Sequence, residues 1–332
     1  MNEYIASTTR YDACDDIYRR CGNSGILLPK VSLGFWQNFG AEASYNNARA
    51  IARMAFDNGV THFDLANNYG PPPGAAEELI GRMLKDDFHT HRDELFIATK
   101  AGYDMWQGPY GSWGSRKHLI SSLNQSLRRM QLDYVDLFYI HRYDPLTPLD
   151  ETLQALVDIV RSGKALYIGI SRWPLEALKY ANAFLRKQGV PPLIFQGRLN
   201  LLDRAVQDEG IPAYCKGEGI GFISFSALAQ GLLTSRYLNG IPSNSRMARG
   251  GSLQQEKLSP QLLEYLNTLN GTAIERGESL ATMSLAWVLA QEGVTSVLVG
   301  ARTPEQFAES LRCIKVSQEL CNDLPLYPHK VF

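Results

Sequence analysis

The sequence predicts a closed (β/α)₈ barrel, and three observations carry that prediction. Eight short β-rich runs recur along the chain, amphipathic helical patterns separate them, and no shift in composition marks a linker. The competing architecture, a doubly wound sheet, normally has fewer strands and a glycine-rich first turn, which is absent here. One domain over residues 1–332 is expected, with 1–17 and about 317–332 as flexible or atypical tails.

Ahead of the barrel, YRRCGNSGILLPKVSL (18–33) has a turn signal at Asn23–Gly25 and predicts a β-hairpin that caps the barrel floor. The barrel strands then follow as VSLGFW (31–36), HFDLAN (62–67), ELFIATK (94–100), VDLFYIH (135–141), ALYIGIS (165–171), LIFQGRL (193–199), GFISFSA (221–227) and SVLVGA (296–301). Crossover helices are expected from RAIARMAFDNG (49–59), RKHLISSLNQSLRRMQ (116–131), LDETLQALVDIVRSG (149–163) and PLEALKYANAFLRKQG (174–189), several of which close on glycine. Two long irregular segments, 102–115 and 234–252, follow the third and seventh strands. Both emerge on the carboxyl side, where barrel enzymes keep their chemistry. At the carboxyl end, Pro325 and Pro328 interrupt any continuing helix.

A formal net charge of −1 offers no field for nucleic acid or an anionic membrane, and no stretch approaches the length of an apolar membrane span. Five cysteines without a C-x-x-C spacing argue against a disulfide framework or a thiolate metal site. A cytoplasmic protein without nucleic-acid or membrane partners is expected, and a homo-oligomer is compatible with the chain.

Four polar residues fall at the carboxyl ends of neighbouring strands: Asp64 in the second, Tyr69 in the loop after it, Lys100 closing the third and His141 closing the fourth. Strand ends of a barrel converge on one mouth, so these groups meet despite their sequence separation. A phenol is a poor proton donor near neutrality, and a neighbouring ammonium favours the phenolate. Asp64 can hold Lys100 and offset the burial of its charge, while His141 can orient a carbonyl oxygen and Tyr69 donate a proton. Taken singly, the same residues fit a structural ion pair, a satisfied histidine and a loop anchor.

The ordered set LGFW, HFDLANNYG, ATK, YIHR, GIS, FSALAQGLL, GIPSNSR and VLVGA resembles the aldo-keto reductases, over roughly residues 18–316. It is most similar to the branch of potassium-channel beta subunits and bacterial reductases of glyceraldehyde 3-phosphate and methylglyoxal, and KAGYDMWQGPYGSWGSRKHL points to the latter. The resemblance implies a metal-independent, NADPH-dependent carbonyl reductase with Asp64, Tyr69, Lys100 and His141 as its catalytic tetrad.

The resemblance also implies a cofactor path. Ser171 and Gln196 match positions that hold the nicotinamide carboxamide, and Phe225 matches the aromatic that stacks on the ring. Backbone around Ser226, Leu228 and Gly231 would follow the pyrophosphate. Arg236 and Arg246 match basic positions near the adenosine phosphate, with Gln306 beside them. Gly34, Trp36, Arg172, Gly300 and Arg302 complete the set. Guanidinium forks suit the 2′-phosphate that separates NADPH from NADH.

Departures from the family pattern are Leu199, where a tyrosine is usual, Arg172 and Arg302, where smaller or amide residues are common, and Ser310 in place of an asparagine. Trp36, Tyr69, Tyr103, Trp106 and Trp113 are expected to line the substrate end, with Arg142 or Arg116 for an anionic group. A small aldehyde or dicarbonyl is the expected substrate. Two other readings fit the same residues: an NADPH-binding regulatory subunit with little turnover, and a lyase that uses Lys100 as a Schiff-base nucleophile.

Overall fold

A computed structural model describes residues 4–331 apart from 244, 246, 249, 251, 252, 318, 322 and 330. Arg246, expected near the adenosine phosphate, lies outside the described residues. A two-stranded antiparallel hairpin, β1 (Tyr18–Arg20) and β2 (Leu27–Pro29), precedes the barrel. The barrel strands are β3 (Val31–Gly34), β4 (His62–Asp64), β5 (Phe96–Ala101), β6 (Val135–Ile140), β7 (Ala165–Ser171), β8 (Pro192–Arg198), β9 (Gly221–Phe225) and β10 (Val294–Val299). All eight are parallel to their neighbours, and β10 closes on β3. This is the (β/α)₈ barrel that the alternating pattern predicts.

The helices are α1 (Cys14–Ile17), α2 (Tyr45–Asp57), α3 (Ala75–Asp86), α4 (Arg116–Met130), α5 (Leu149–Arg161), α6 (Leu175–Lys187), α7 (Ala205–Asp208), α8 (Ile211–Gly217), α9 (Pro260–Glu275), α10 (Leu280–Ala290) and α11 (Pro304–Leu311). Local chemistry sets their starts: Ser44, Ser115, Ser259, Ser279 and Thr303 each accept a hydrogen bond from a first-turn backbone N–H. Each outer helix buries one stripe, as α2 does with Ala48, Ile51, Ala52, Ala55 and Phe56. Helix α10 is buried on nearly every side, so its sequence lacks the amphipathic period that marked the four expected crossover helices.

The hairpin seals the floor. Arg19 donates to the carbonyls of Leu289 and Val294 at 2.7 and 2.9 Å, and the Asn23 N–H donates to the Gly219 carbonyl at 2.9 Å. Above it, Cys21, Leu28, Ala98, Leu137, Ile194 and Ile223 fill the lower barrel around Tyr139. Position 169 must be glycine for that ring to fit, because a Cβ there would come within 2.3 Å of it.

A polar layer crosses the same interior. His62 Nδ1 is 2.9 Å from Ser32 Oγ, which lies 2.7 Å from Ser296 Oγ. Burial, reinforced by the Lys100 charge, pushes the His62 pKa down to about 3. A histidine neutral in the fold but protonated when unfolded makes stability fall as pH drops from about 6.5 towards 3, at about 1.4 kcal/mol per pH unit. Thermal melts between pH 7 and 4 should show this slope, and His62→Asn should flatten it.

The tails contact the barrel's flank. Tyr4 donates to Asp57 at 2.7 Å, Tyr265 donates to the Pro325 carbonyl at 2.8 Å, and the rings of Tyr265 and Tyr327 lie 5.0 Å apart. Among the cysteines, Cys14 is exposed and Cys21, Cys215, Cys313 and Cys321 are buried, all five as free thiols. No helix among the described residues is long and apolar enough to cross a membrane, and none of their side chains form a metal-binding cluster.

Candidate active site

The register of β3 to β6 brings the four sequence-predicted polar residues to one end of the barrel. Asp64 is in register with Ala98 on β5, and Lys100 with Tyr139 on β6. Past the strands, the Leu65 N–H donates to Ala98, the Asn67 N–H to Lys100 and the His141 N–H to Ala101, all within 3.0 Å. These bonds hold the loop bases as firmly as the strands. Tyr69 is fixed through its own backbone, its N–H bonding the Ala66 carbonyl and its carbonyl accepting from Ala76.

Lys100 is fully buried. Its ammonium donates to Asp64 Oδ2 and, at 2.6 Å, to the Leu65 carbonyl, while Gln196 Nε2 donates to Asp64 Oδ1 at 3.1 Å. The carboxylate is thus held by a cation on one side and an amide on the other, which offsets its burial. Burial still pushes the Asp64 pKa up and the Lys100 pKa down, each against the pull of its partner.

The ammonium stands 5.1 Å from the Tyr69 ring centroid and 5.3 Å from that of Tyr139. Tyr69 meets the His141 ring edge-on at 5.9 Å, and Tyr103 closes on His141 from its other side at 4.7 Å. One expectation is corrected here. Burial raises the Tyr69 pKa well above its ordinary value, the Asp64 carboxylate adds to the rise, and the Lys100 ammonium does not reverse it. The phenol therefore holds its proton. Burial, followed by the Lys100, Arg172 and Arg142 charges, drives the His141 pKa well below its ordinary value, so this imidazole is neutral.

These residues open onto a cleft of about 610 Å³. Asp64, Tyr69, Tyr103 and His141 line it together. Gly34, Trp36, Ser171, Arg172, Gln196, Phe225, Ser226, Leu228, Gly231, Arg236, Gly300, Arg302 and Gln306 line the same cleft. Lys100 stands behind the wall. Its amine is enclosed by Asp64 and Leu65, which leaves no approach for a carbonyl carbon and disfavours the Schiff-base reading.

Trp106, Trp113, Arg142 and Arg116, expected at the substrate end, do not line the cleft. Trp106 packs on His118, with ring centroids 5.1 Å apart. Arg142 is drawn under its own loop, donating to the Gly102 carbonyl and Ser112 Oγ at 2.8 Å with Trp113 stacked 3.6 Å away. Arg116 pairs with Asp158 on α5. Conversely, Asn38, Asn68 and Arg198 line the cleft without having been anticipated. Arg198 follows Gln196 by two residues on β8, so the period of a strand places both on one face.

Backbone strain collects on this rim. Arg172, Ser226, Ala229 and Gln230 have φ of +59°, +54°, +47° and +59°, all in the left-handed region that side chains disfavour. Gly231, at φ +101°, lies outside what an L side chain tolerates. Ser226, Ala227, Leu228, Gln230 and Gly231 of this curled segment line the cleft. A cavity of this volume lined by aromatic, amide, backbone and guanidinium groups has the chemistry to hold a dinucleotide.

Residues 30–323 match the sequence profile of the aldo/keto reductase family. The chain belongs to the aldo-keto reductases. It is 52% identical over 315 residues to L-glyceraldehyde 3-phosphate reductase of Escherichia coli, covering 94% of this chain and 90% of the relative. A probable voltage-gated potassium channel subunit beta of Oryza sativa subsp. japonica is 35% identical over 306 residues, covering 90% of this chain and 91% of the relative. Among solved structures, a thermostable aldo-keto reductase in complex with the inhibitor epalrestat superposes with a TM-score of 0.71 at 28% identity, covering 92% of this chain and 98% of the other. As an aldo-keto reductase, the protein is an oxidoreductase of a family that uses nicotinamide cofactors.

Proposed function

We propose that this aldo-keto reductase uses NADPH to reduce a small aldehyde or dicarbonyl of the glyceraldehyde 3-phosphate or methylglyoxal class to the alcohol. The observation that carries the reading is a neutral Tyr69 phenol that lines the cleft, beside neutral His141 and the buried Asp64–Lys100 pair. The nicotinamide, when bound, supplies the hydride to the carbonyl carbon. Tyr69 Oη gives its proton to the carbonyl oxygen, which accepts a second hydrogen bond from His141. The tyrosinate left behind faces the Lys100 ammonium, a charge already in place before the reaction, and regains its proton from solvent.

Phe225 offers a ring face to the nicotinamide, and Ser171 and Gln196 offer polar groups to its amide. The left-handed segment Ser226–Gly231 receives the pyrophosphate. Arg236, Arg302 and Gln306 line the cleft and are the groups that would meet the 2′-phosphate that distinguishes NADPH from NADH. Five free thiols fit a reducing, cytoplasmic setting. The test is cofactor oxidation by purified protein with methylglyoxal and with glyceraldehyde 3-phosphate, run with NADPH and then with NADH. Turnover favouring NADPH supports the reading. Tight NADPH binding without turnover on either carbonyl would instead favour a cofactor-dependent regulator like the channel subunits named among the relatives.

A further inference from the structure

His141 lacks the hydrogen bond that ordinarily sets the orientation of such a ring. Its Nδ1 is buried and has no hydrogen-bond partner among the described residues, so no carbonyl or carboxylate fixes the imidazole. What surrounds the ring instead is aromatic: Tyr103 meets it edge-on with ring centroids 4.7 Å apart, and Tyr69 does so at 5.9 Å. Tyr103 is itself covered by the Arg142 guanidinium, whose carbon stands 4.4 Å from its ring centroid and 3.6 Å from that of Trp113. The guanidinium is fixed by its bonds to the Gly102 carbonyl and Ser112 Oγ, and the same carbonyl accepts from the Trp113 N–H at 3.0 Å. Next along the loop, Gly114 donates its N–H to Asp144 at 2.9 Å and accepts from Thr152 on α5 at 2.8 Å, which ties this segment to the following βα unit. Trp113 sits at φ +72°, a conformation that a bulky residue adopts only at a cost, so the loop imposes its placement.

We infer that Arg142 and Trp113 are positioning residues that act through Tyr103 to hold the His141 ring in the orientation from which it donates to the carbonyl oxygen. This rests on the reductase reading and deepens it, giving a role to two side chains that stand outside the cleft. A neutral imidazole carries one proton, and with Nδ1 enclosed it is Nε2 that can bring that proton to a substrate. Rotation of the ring would break that contact, and edge-on packing restrains rotation because aromatic rings meet favourably in only a few arrangements. Tyr103 alone would be a poor restraint, since it also lines the open cleft. A planar guanidinium with its donors already engaged, backed by an indole, gives it a rigid support. The Arg142 charge also opposes protonation of His141, after burial and the charges of Lys100 and Arg172. One cation thus serves both the orientation of the ring and its neutrality.

The experiment measures kcat, KM and NADPH affinity with methylglyoxal and with glyceraldehyde 3-phosphate. It uses wild type, Arg142→Met, Trp113→Leu, Trp113→Phe, His141→Phe, and Arg142→Met combined with His141→Phe. Trp113 is 41% exposed, so its variants leave the core intact, and thermal melts check the folding of all six proteins. Arg142→Met and Trp113→Leu should each lower kcat about tenfold on both carbonyls, with KM and NADPH affinity changed by less than about threefold. Trp113→Phe, which keeps an aromatic face for the guanidinium, should recover most of the loss. In the His141→Phe background, Arg142→Met should cost nothing further, because no imidazole is left to orient. A loss of equal size in that background, or an unchanged kcat in both Arg142→Met and Trp113→Leu, overturns the inference. So does a loss confined to KM for the phosphorylated substrate, which would make Arg142 an anion contact. Each of these outcomes leaves the reductase reading intact while the wild type turns over. Absence of turnover with any carbonyl counts against both.

Discussion

Tyr69→Phe should bind NADPH as the wild type does and lose roughly 10²- to 10⁴-fold in kcat, the range expected for a positioned proton donor. The ring remains, so its packing against His141 and beside Lys100 survives. What disappears is the phenolic proton that burial keeps in place near neutrality. His141 cannot substitute, because its imidazole is held neutral by burial and by the surrounding cations. Steady-state kinetics with either aldehyde, beside a fluorescence titration of NADPH, checks the prediction. An unchanged kcat would remove Tyr69 from the mechanism.

The second large effect concerns the pair beneath it. Lys100→Met should destabilise the fold by about 3–5 kcal/mol, because it strands a buried carboxylate whose remaining partner is the Gln196 amide. Deprived of its cation, Asp64 would take up a proton readily. Its folded pKa then stands further above the unfolded value, so the variant keeps most stability at low pH and loses it as pH rises through the folded pKa. Adding Asp64→Asn removes the stranded charge and should restore much of the loss. Denaturant melts across pH 5–8 for the two single variants and the double variant would expose the coupling. Near-additive losses would show that the two residues act independently.

Much of the architecture was legible because a parallel barrel strand buried on both faces must be a short apolar run. ALYIGIS became a strand over the predicted bounds, and the other seven shifted by three residues or fewer at either end. The site was legible for a related reason. A charge in such a run is costly, so Asp64 and Lys100 at successive strand ends pointed to each other before any geometry was known. Loop aromatics gave no such constraint. Trp106 and Trp113 were equally apolar whether they faced the cleft or their own loop, and only the tertiary placement of His118 and Arg142 decides between these. Electrostatic balance was also hidden, since the pKa of Tyr69 depends on how completely the fold excludes water from it. Arg198 was readable by its spacing of two from Gln196 on the same strand.

The distribution of thiols has a practical consequence for studying this protein. Burial pushes the pKa of Cys21, Cys215 and Cys313 up to about 12 and raises that of Cys321, whereas Cys14 sits exposed on the amino-terminal segment. A maleimide dye added to the native protein should therefore attach once per chain, as intact mass would show, and five times after denaturation. Cys14 precedes the hairpin that seals the floor, so a fluorophore there would sit across the molecule from the chemistry. The chain carries a ready-made tether for immobilising the enzyme or following it one molecule at a time, without engineering and without obstructing the mouth through which substrates pass.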